Sequence, residues 1–257
     1  MATSVAKTLW RARAGGRAVN IDVGLRPTTL EAAYEIQNEV SALAGSPKVG
    51  WKLGATSATA QQALGLDGPF FAPLLRRFCH ESGTTIALPV KQGPGVEAEF
   101  AILLGAELPA RPEAYDRESV VTAVAAVCPA IEVAGSRLVG GMGKPDPMMI
   151  IADGGSNVGF VQGEPHAGWA GLDLAALDVT LFINGEQSAS GTGGMVMGHP
   201  LDALVWLANQ LSRSGRGLNV GDVISTGSCT GLTPVQPGDT AVADFGELGT
   251  VQARFSE

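Results

Sequence analysis

From Thr84 onward the chain breaks into short strand-like stretches that only two helices interrupt. The stretches are Thr84–Leu88, Gly95–Leu104, Pro129–Val133, Asn157–Val161, Leu177–Ile183, Val223–Thr226, Thr240–Phe245 and Thr250–Phe255. The predicted helices are Arg117–Val127 and Pro200–Ser212. The second opens with proline in its first turn and aligns Leu201, Leu204, Val205, Ala208 and Leu211 on one face. A doubly wound parallel sheet needs a helix between nearly every pair of strands, so that architecture is excluded. Thirty-five glycines among 257 residues supply the turns this many strands require, and Asn184-Gly185 is a type I′ hairpin signal.

The first third reads differently. Val5, Leu9, Trp10 and Ala14 recur at helical spacing up to Gly15-Gly16. Thr28 and Glu31 have capping-box spacing, and Leu30, Ala33, Tyr34, Gln37, Val40 and Ala44 continue a second helix to Gly45-Ser46-Pro47. A strand over Lys48–Leu53 and a helix over Ser57–Leu64 follow. Gly65–Pro73, rich in Gly, Pro and Phe, reads as a loop able to fold over a site, and Gln162–Gly171 as an interior loop. The expectation is an α+β fold in which residues 1–75 form a helical segment flanking a pocket and residues 76–257 form the strand-rich body.

Seventeen basic against 25 acidic residues give a net charge of −8. With no basic stripe, nucleic acid and anionic membranes are poor partners. Cys79, Cys128 and Cys229 are odd in number and widely spaced, which fits neither a disulfide framework nor a zinc site. No apolar run reaches the roughly 18 residues of a membrane span. A reducing, cytoplasmic setting is expected. The first 21 residues lack acids and carry Lys7, Arg11, Arg13 and Arg17, a composition shared by transit peptides and by ordinary amphipathic first helices.

The chemistry concentrates in a few lone charges. In Gly95–Leu104, Val96, Ala98, Phe100 and Ile102 share one strand face, and Glu97 and Glu99 the other, with α-carbons roughly 6.5–7 Å apart. Ala101 and Leu103 continue the glutamate face, so the pair is half-buried rather than wet. Two such carboxylates repel unless a cation sits between them. Glu132 is the lone charge in Val127–Val133 and needs a partner, either a cation shared with the pair or a side chain such as Arg137. Three carboxylates from two strands make a hard oxygen site suited to Mg²⁺ or Mn²⁺. Lys52, in Gly50-Trp51-Lys52-Leu53-Gly54, reads either as a snorkelling lysine or as a cation beside a bound carboxylate or enolate.

Other patterns fail. Neither Ser156 nor Ser228 sits in a G-x-S-x-G elbow, Gly191-Thr192-Gly193 does not continue as a dinucleotide fingerprint, and Gly143-Lys144 lacks the rest of a P-loop. His80, His166 and His199 have no ligand spacing, and His199 stands where a helix cap would.

The segments AAYEIQ (32–37), GWKLGAT (50–56), VEAEFAILL (96–104), PAIEV (129–133), GHPLDALVWLAN (198–209), GDVISTGS (221–228) and PGD with LGTVQARF (237–255) run in one order along the chain. In this the chain resembles the fumarylacetoacetate hydrolase superfamily, in its 2-keto-4-pentenoate hydratase and 4-oxalocrotonate decarboxylase branch. The resemblance implies a mixed β-roll with an N-terminal helical segment beside the pocket. It implies a metal site of Glu97, Glu99 and Glu132, catalytic Lys52 over the substrate, and a homo-oligomer. Phe70, Phe71, Ser156 and His199 are the candidate substrate-binding residues. The implied activity is hydration of a 2-hydroxydienoate or unsaturated 2-oxo acid in aromatic-type catabolism, with a decarboxylase as a possible pathway partner. The same metal site would serve decarboxylation, carbon–carbon hydrolysis or a non-catalytic binding homologue. Two positions depart from the branch. Phe70 stands where its hydratases carry an Asp that moves protons with the lysine, and Ala134-Gly135 where an Asp often follows the third glutamate. The His-Glu dyad of the superfamily's hydrolases is absent from the sequence.

Overall fold

The computed structural model describes residues 3–141 and 146–257, so Gly143-Lys144 lie outside it. The order begins α1 (Ser4–Ala14), α2 (Leu30–Ala44), β1 (Lys48–Gly54), α3 (Ala58–Leu64), β2 (Phe70–Leu75), β3 (Cys79–Glu81) and β4 (Thr84–Ala87). It continues β5 (Gly95–Leu104), α4 (Arg117–Val121), β6 (Val124–Ala134), α5 (Pro147–Ala152), β7 (Asn157–Gln162), β8 (Asp178–Ile183) and β9 (Glu186–Thr192). It closes with α6 (Pro200–Arg213), β10 (Val223–Ser228), β11 (Thr233–Pro234), β12 (Thr240–Asp244) and β13 (Thr250–Ser256).

The helix ends follow local chemistry. Thr3, Thr29 and Ser57 cap α1, α2 and α3 through their side-chain oxygens. Thr29 thus takes the capping position that the spacing assigned to Thr28. Gly45 and Gly65 terminate α2 and α3 in the left-handed conformation. Asn184 and Gly185 both have positive φ in the β8–β9 hairpin, as a type I′ turn demands.

Two stretches differ from the sequence reading. Gly65–Pro73 is not a free loop: Phe70–Leu75 is a strand antiparallel to β1, its Pro73 tolerated because β2 is a sheet edge. The helix expected over Arg117–Val127 stops at Val121, and the chain re-enters as strand from Val124. The valines there satisfy either pattern, and the long antiparallel pairing of β6 with β5 decides the outcome.

An eight-stranded mixed sheet runs β2-β1-β10-β5-β6-β7-β3, with β11 paired to β5, and curls into a half-barrel. A five-stranded sheet runs β4-β13-β12-β8-β9. The main core lies between them. Val96, Ala98, Phe100 and Ile102 of β5 are fully buried there with Leu181, Ala243 and Val251, and Phe100 meets Phe245 edge-on at 5.0 Å. Leu201, Leu204, Leu207 and Leu211 of α6 join the same core. The opposite face of β5 carries Glu97 and Glu99.

Residues 1–75 contribute β1 and β2 to this sheet as well as the helices. Gln37, buried on α2, donates to Phe71 O (3.1 Å) and Ile151 O (2.8 Å), tying helix to sheet and to α5. The helices close a second apolar cluster with Leu9, Ile36, Phe70, Met149 and Ile151.

β1 lies so close to β10 that a Cβ on Gly50 would sit 1.9 Å from Val223 O. Gly50→Ala should therefore cost roughly 1–3 kcal/mol of stability in urea unfolding. Gly24→Ala, with no heavy atom within 4 Å of the new methyl, should be close to neutral. Equal stabilities for the two variants would contradict this packing.

Candidate metal centre

Antiparallel register sets Glu132 of β6 directly opposite Glu97 of β5, while Glu99 follows two residues along the same face. One carboxylate oxygen from each lies within 4.8 Å of the other two. Glu99 and Glu132 are buried and Glu97 is half-buried. Each is held by donors. Glu99 Oε2 accepts from the Ser225 hydroxyl and from Gly227 N (3.0 Å), and Ser228 hydrogen-bonds Glu97. These donors converge because β10 shifts register between Ser225 and Ser228. Gly227 adopts φ +100° there, and a Cβ on it would lie 2.0 Å from Thr56 Oγ1.

Lys52 enters the same space from β1. It is 3% exposed, so the snorkelling alternative fails. Its Nζ lies 2.8 Å from Glu132 Oε2 and donates to Gly155 O at 3.1 Å. Arg137 is not the partner of Glu132: it is fully buried against Asp153, with Nε 2.7 Å from Oδ2, and its other donors reach Gly135 O and Asn157 O. The opposite end of Glu132 is held by Asn157, whose Nδ2 lies 2.9 Å from Oε1.

Gly154, Gly155 and Ser156 all have positive φ. That turn brings Gly155 so near the lysine that a Cβ would lie 3.0 Å from Lys52 Cδ and from the Phe70 ring. Ser156, buried and strained at φ +59°, opens onto a cavity of about 310 Å³. Ala60, Ala63, Leu64, Leu138, Met149 and Ile150 supply its apolar wall, with Asp146 and Asp153 at the polar side.

The expected substrate residues divide. Phe70 is buried with its ring 5.6 Å from Lys52 Nζ. Phe71, one residue on, points to the other face of the strand, stacking on Tyr34 (4.7 Å) and meeting Trp51 and Trp206 edge-on. It belongs to the main core. His199 caps α6, its Nδ1 accepting from Leu201 N at 3.1 Å. Burial, and then the nearby Arg117, hold its imidazole below the usual range, consistent with that neutral capping role. Asp67, three residues before Phe70, is exposed.

The donor set fits a divalent cation. Glu99 Oε1 is buried without a hydrogen-bond partner, and Glu132 Oε2 faces only the lysine ammonium. All three candidate donors are carboxylate oxygens, the set that hard cations prefer.

The fumarylacetoacetate (FAA) hydrolase C-terminal family matches residues 46–256. The chain belongs to the fumarylacetoacetate hydrolase family. It is 33% identical to a 2-keto-4-pentenoate hydratase of Paraburkholderia xenovorans (strain LB400), over 97% of this chain and 93% of that one. It is 33% identical to a 2-hydroxyhexa-2,4-dienoate hydratase of Comamonas testosteroni, over 89% and 87%. Among solved structures, 4-oxalocrotonate decarboxylase from Pseudomonas putida G7, complexed with magnesium and adipate, superposes with a TM-score of 0.89. That match has 30% identity over 98% of this chain and 96% of the other.

Ser225, Gly227, Gly155 and Asn157 carry roles in this family member that the sequence did not announce. The glycines stood in recognisable runs, GDVISTGS and GGSN, but nothing local marks a backbone amide or carbonyl as a ligand to a charge.

Burial, and then the charge of Glu132, raise the Glu97 carboxyl to about 7, against the opposing pull of Lys52. Burial, and then Glu132 and Glu97, hold the Glu99 carboxyl well above its ordinary value. For Lys52, burial disfavours the ammonium, but Glu132, Glu99 and Glu97 outweigh it and hold its pKa above the ordinary value. In the metal-free fold Glu97 keeps its proton to about pH 7, against the ordinary carboxylate value of 4.5. The native state then binds more protons across that window, so its stability falls as pH rises through it. Thermal unfolding of metal-free protein should show that fall, and Glu97→Gln should reduce it, leaving the part that Glu99 contributes. Mg²⁺ should raise Tm at about pH 7.5 far more than at about pH 5, because deprotonated ligands are needed. A Mg²⁺ effect equal at both pH values would contradict the assignment.

Proposed function

We propose that this protein is a divalent-metal-dependent hydro-lyase that adds water to a 2-hydroxydienoate or its unsaturated 2-oxo tautomer, in aromatic-type catabolism. The observation that carries this reading is the meeting of three glutamates and a buried lysine beside an apolar cavity. Glu97, Glu99 and Glu132 would hold Mg²⁺ or Mn²⁺, which when bound supplies positive charge for a substrate carboxylate and its neighbouring 2-oxygen. Lys52, kept protonated by the glutamates, provides a fixed ammonium where enolate charge develops and a proton for ketonisation. Ser156 lines the cavity, and the buried Phe70 ring packs 5.6 Å from Lys52 Nζ. The apolar wall of α3 and α5 excludes water from the substrate tail and leaves Ser156, Asp146 and Asp153 as the polar groups.

A vinylogous decarboxylase could use the same enolate, and Phe70 in place of the proton-transferring Asp favours that second reading. Against it, the cavity wall is mostly apolar and its two aspartates are already paired, Asp146 with Arg26 and Asp153 with Arg137, so among the described residues no unpaired cation lines it for a dicarboxylate's distal carboxylate. On this reading the protein is a cytoplasmic homo-oligomer with a decarboxylase as pathway partner, as the family resemblance implies. Among the described residues no helix is long and apolar enough to cross a membrane.

Ultraviolet assay with 2-hydroxypenta-2,4-dienoate and Mg²⁺ tests the reading, with product analysis separating hydration from loss of CO₂. Glu99→Ala should lose both Mg²⁺ binding in calorimetry and turnover. Lys52→Met should keep Mg²⁺ binding but lose about 10²–10⁴-fold in turnover. In its metal-free form Lys52→Met should also be destabilised by roughly 3–5 kcal/mol, because Glu132 is left buried and unpaired. Wild-type turnover by Lys52→Met would remove the lysine from the mechanism.

Phe70→Asp should raise hydration of the small dienoate and weaken binding of an aryl-substituted analogue that packs on the natural ring. Fast hydration of the small dienoate by the natural protein, unchanged in the variant, would show that position 70 does not limit proton transfer.

A further inference from the structure

Glu132 is fully buried, and its two oxygens have different partners. Oε2 faces Lys52. Oε1 accepts from Asn157 Nδ2 at 2.9 Å, and the same amide nitrogen lies 3.3 Å from Gly159 O. The amide oxygen of Asn157 accepts from Arg13 Nη2 at 3.0 Å. A flipped amide would set its oxygen against the carboxylate and its NH₂ against the guanidinium, so Arg13 dictates which way the amide points. The guanidinium is itself seated, with Cζ 3.9 Å above the Phe78 ring. Asn157 has its backbone carbonyl fixed by Arg137 Nη1 at 2.9 Å.

We propose that Arg13 of α1, acting through Asn157, is a positioning residue of the metal centre, orienting Glu132 so that Oε2 is presented to the cation. The inference rests on the metal-centre reading above. The chain of contacts crosses three elements, from α1 through the first residue of β7 to β6, and so makes the docking of the N-terminal helix part of the ligand geometry. A mere staple between α1 and the body would affect stability and leave metal affinity untouched, which separates the two roles.

The test is Mg²⁺ calorimetry alongside thermal unfolding on the full chain and on Arg13→Met, Arg13→Lys, Asn157→Ala and the Arg13→Met/Asn157→Ala double variant. Arg13→Met and Asn157→Ala should each weaken Mg²⁺ binding about 10–100-fold, the usual effect of removing a partner of a ligand. Arg13→Lys, which keeps a cationic donor for the amide oxygen, should recover most of the affinity. With Asn157 already Ala, the further Arg13→Met change should leave affinity where it was, since the arginine acts through the amide. Lower Tm with wild-type affinity in both single variants would overturn the proposal and leave a staple. If Arg13→Met fails to fold, wild-type affinity in Asn157→Ala, or Arg13→Lys binding as weakly as Asn157→Ala, overturns it. Absence of Mg²⁺ binding by the unaltered protein would instead sink the metal-centre reading itself.

Discussion

Three carboxylates on one enclosed sheet face repel one another, and the surrounding structure is arranged to contain that repulsion. In water the charges would separate; here antiparallel register fixes Glu97 opposite Glu132, with Glu99 beside them. The containment comes from a lysine ammonium, the Ser225 and Ser228 hydroxyls, the Gly227 amide and the Asn157 side chain. Each arrives on a different strand or at an irregular point of one. Removing a donor leaves a buried carboxyl group less well satisfied, which costs more than the hydrogen bond itself contributes.

That requirement explains two departures from regular structure. The register shift in β10 lets a hydroxyl and an amide reach one carboxylate oxygen, which a regular strand would present to different neighbours. The left-handed run at Gly154-Gly155-Ser156 turns a carbonyl toward Lys52 and clears room for its stem. Both depend on glycine, Gly227 at one and Gly154-Gly155 at the other. The two faces of β5 thus divide the labour, Val96, Ala98, Phe100 and Ile102 anchoring the strand from which Glu97 and Glu99 project.

Much of this was legible in the sequence, because period-two alternation is a local property. It placed Glu97 and Glu99 together, marked Glu132 and Lys52 as charges needing partners, and gave β5 its full extent. Alternation also contained the correct answer for Phe71, since adjacent strand residues cannot share a face. Gly65–Pro73 was misread because its glycines and prolines mask a strand that forms only by pairing with β1. Which partner each buried charge takes depends on contacts distant in sequence: Lys52 rather than Arg137 meets Glu132, and Arg13 meets Asn157 across 144 positions. No spacing rule encodes those meetings.

The same alternation limits how such a chain can change length. Deleting one residue within β1, β5 or β6 would exchange the two faces beyond that point, driving a glutamate or lysine in among Val96 and Phe100 and sending an apolar side chain to the carboxylate cluster. Insertions and deletions that preserve the centre must fall in turns such as Asn184-Gly185, or come in pairs within a strand. Length variation among proteins sharing this centre should therefore be even-numbered inside these three strands and unrestricted in the hairpins.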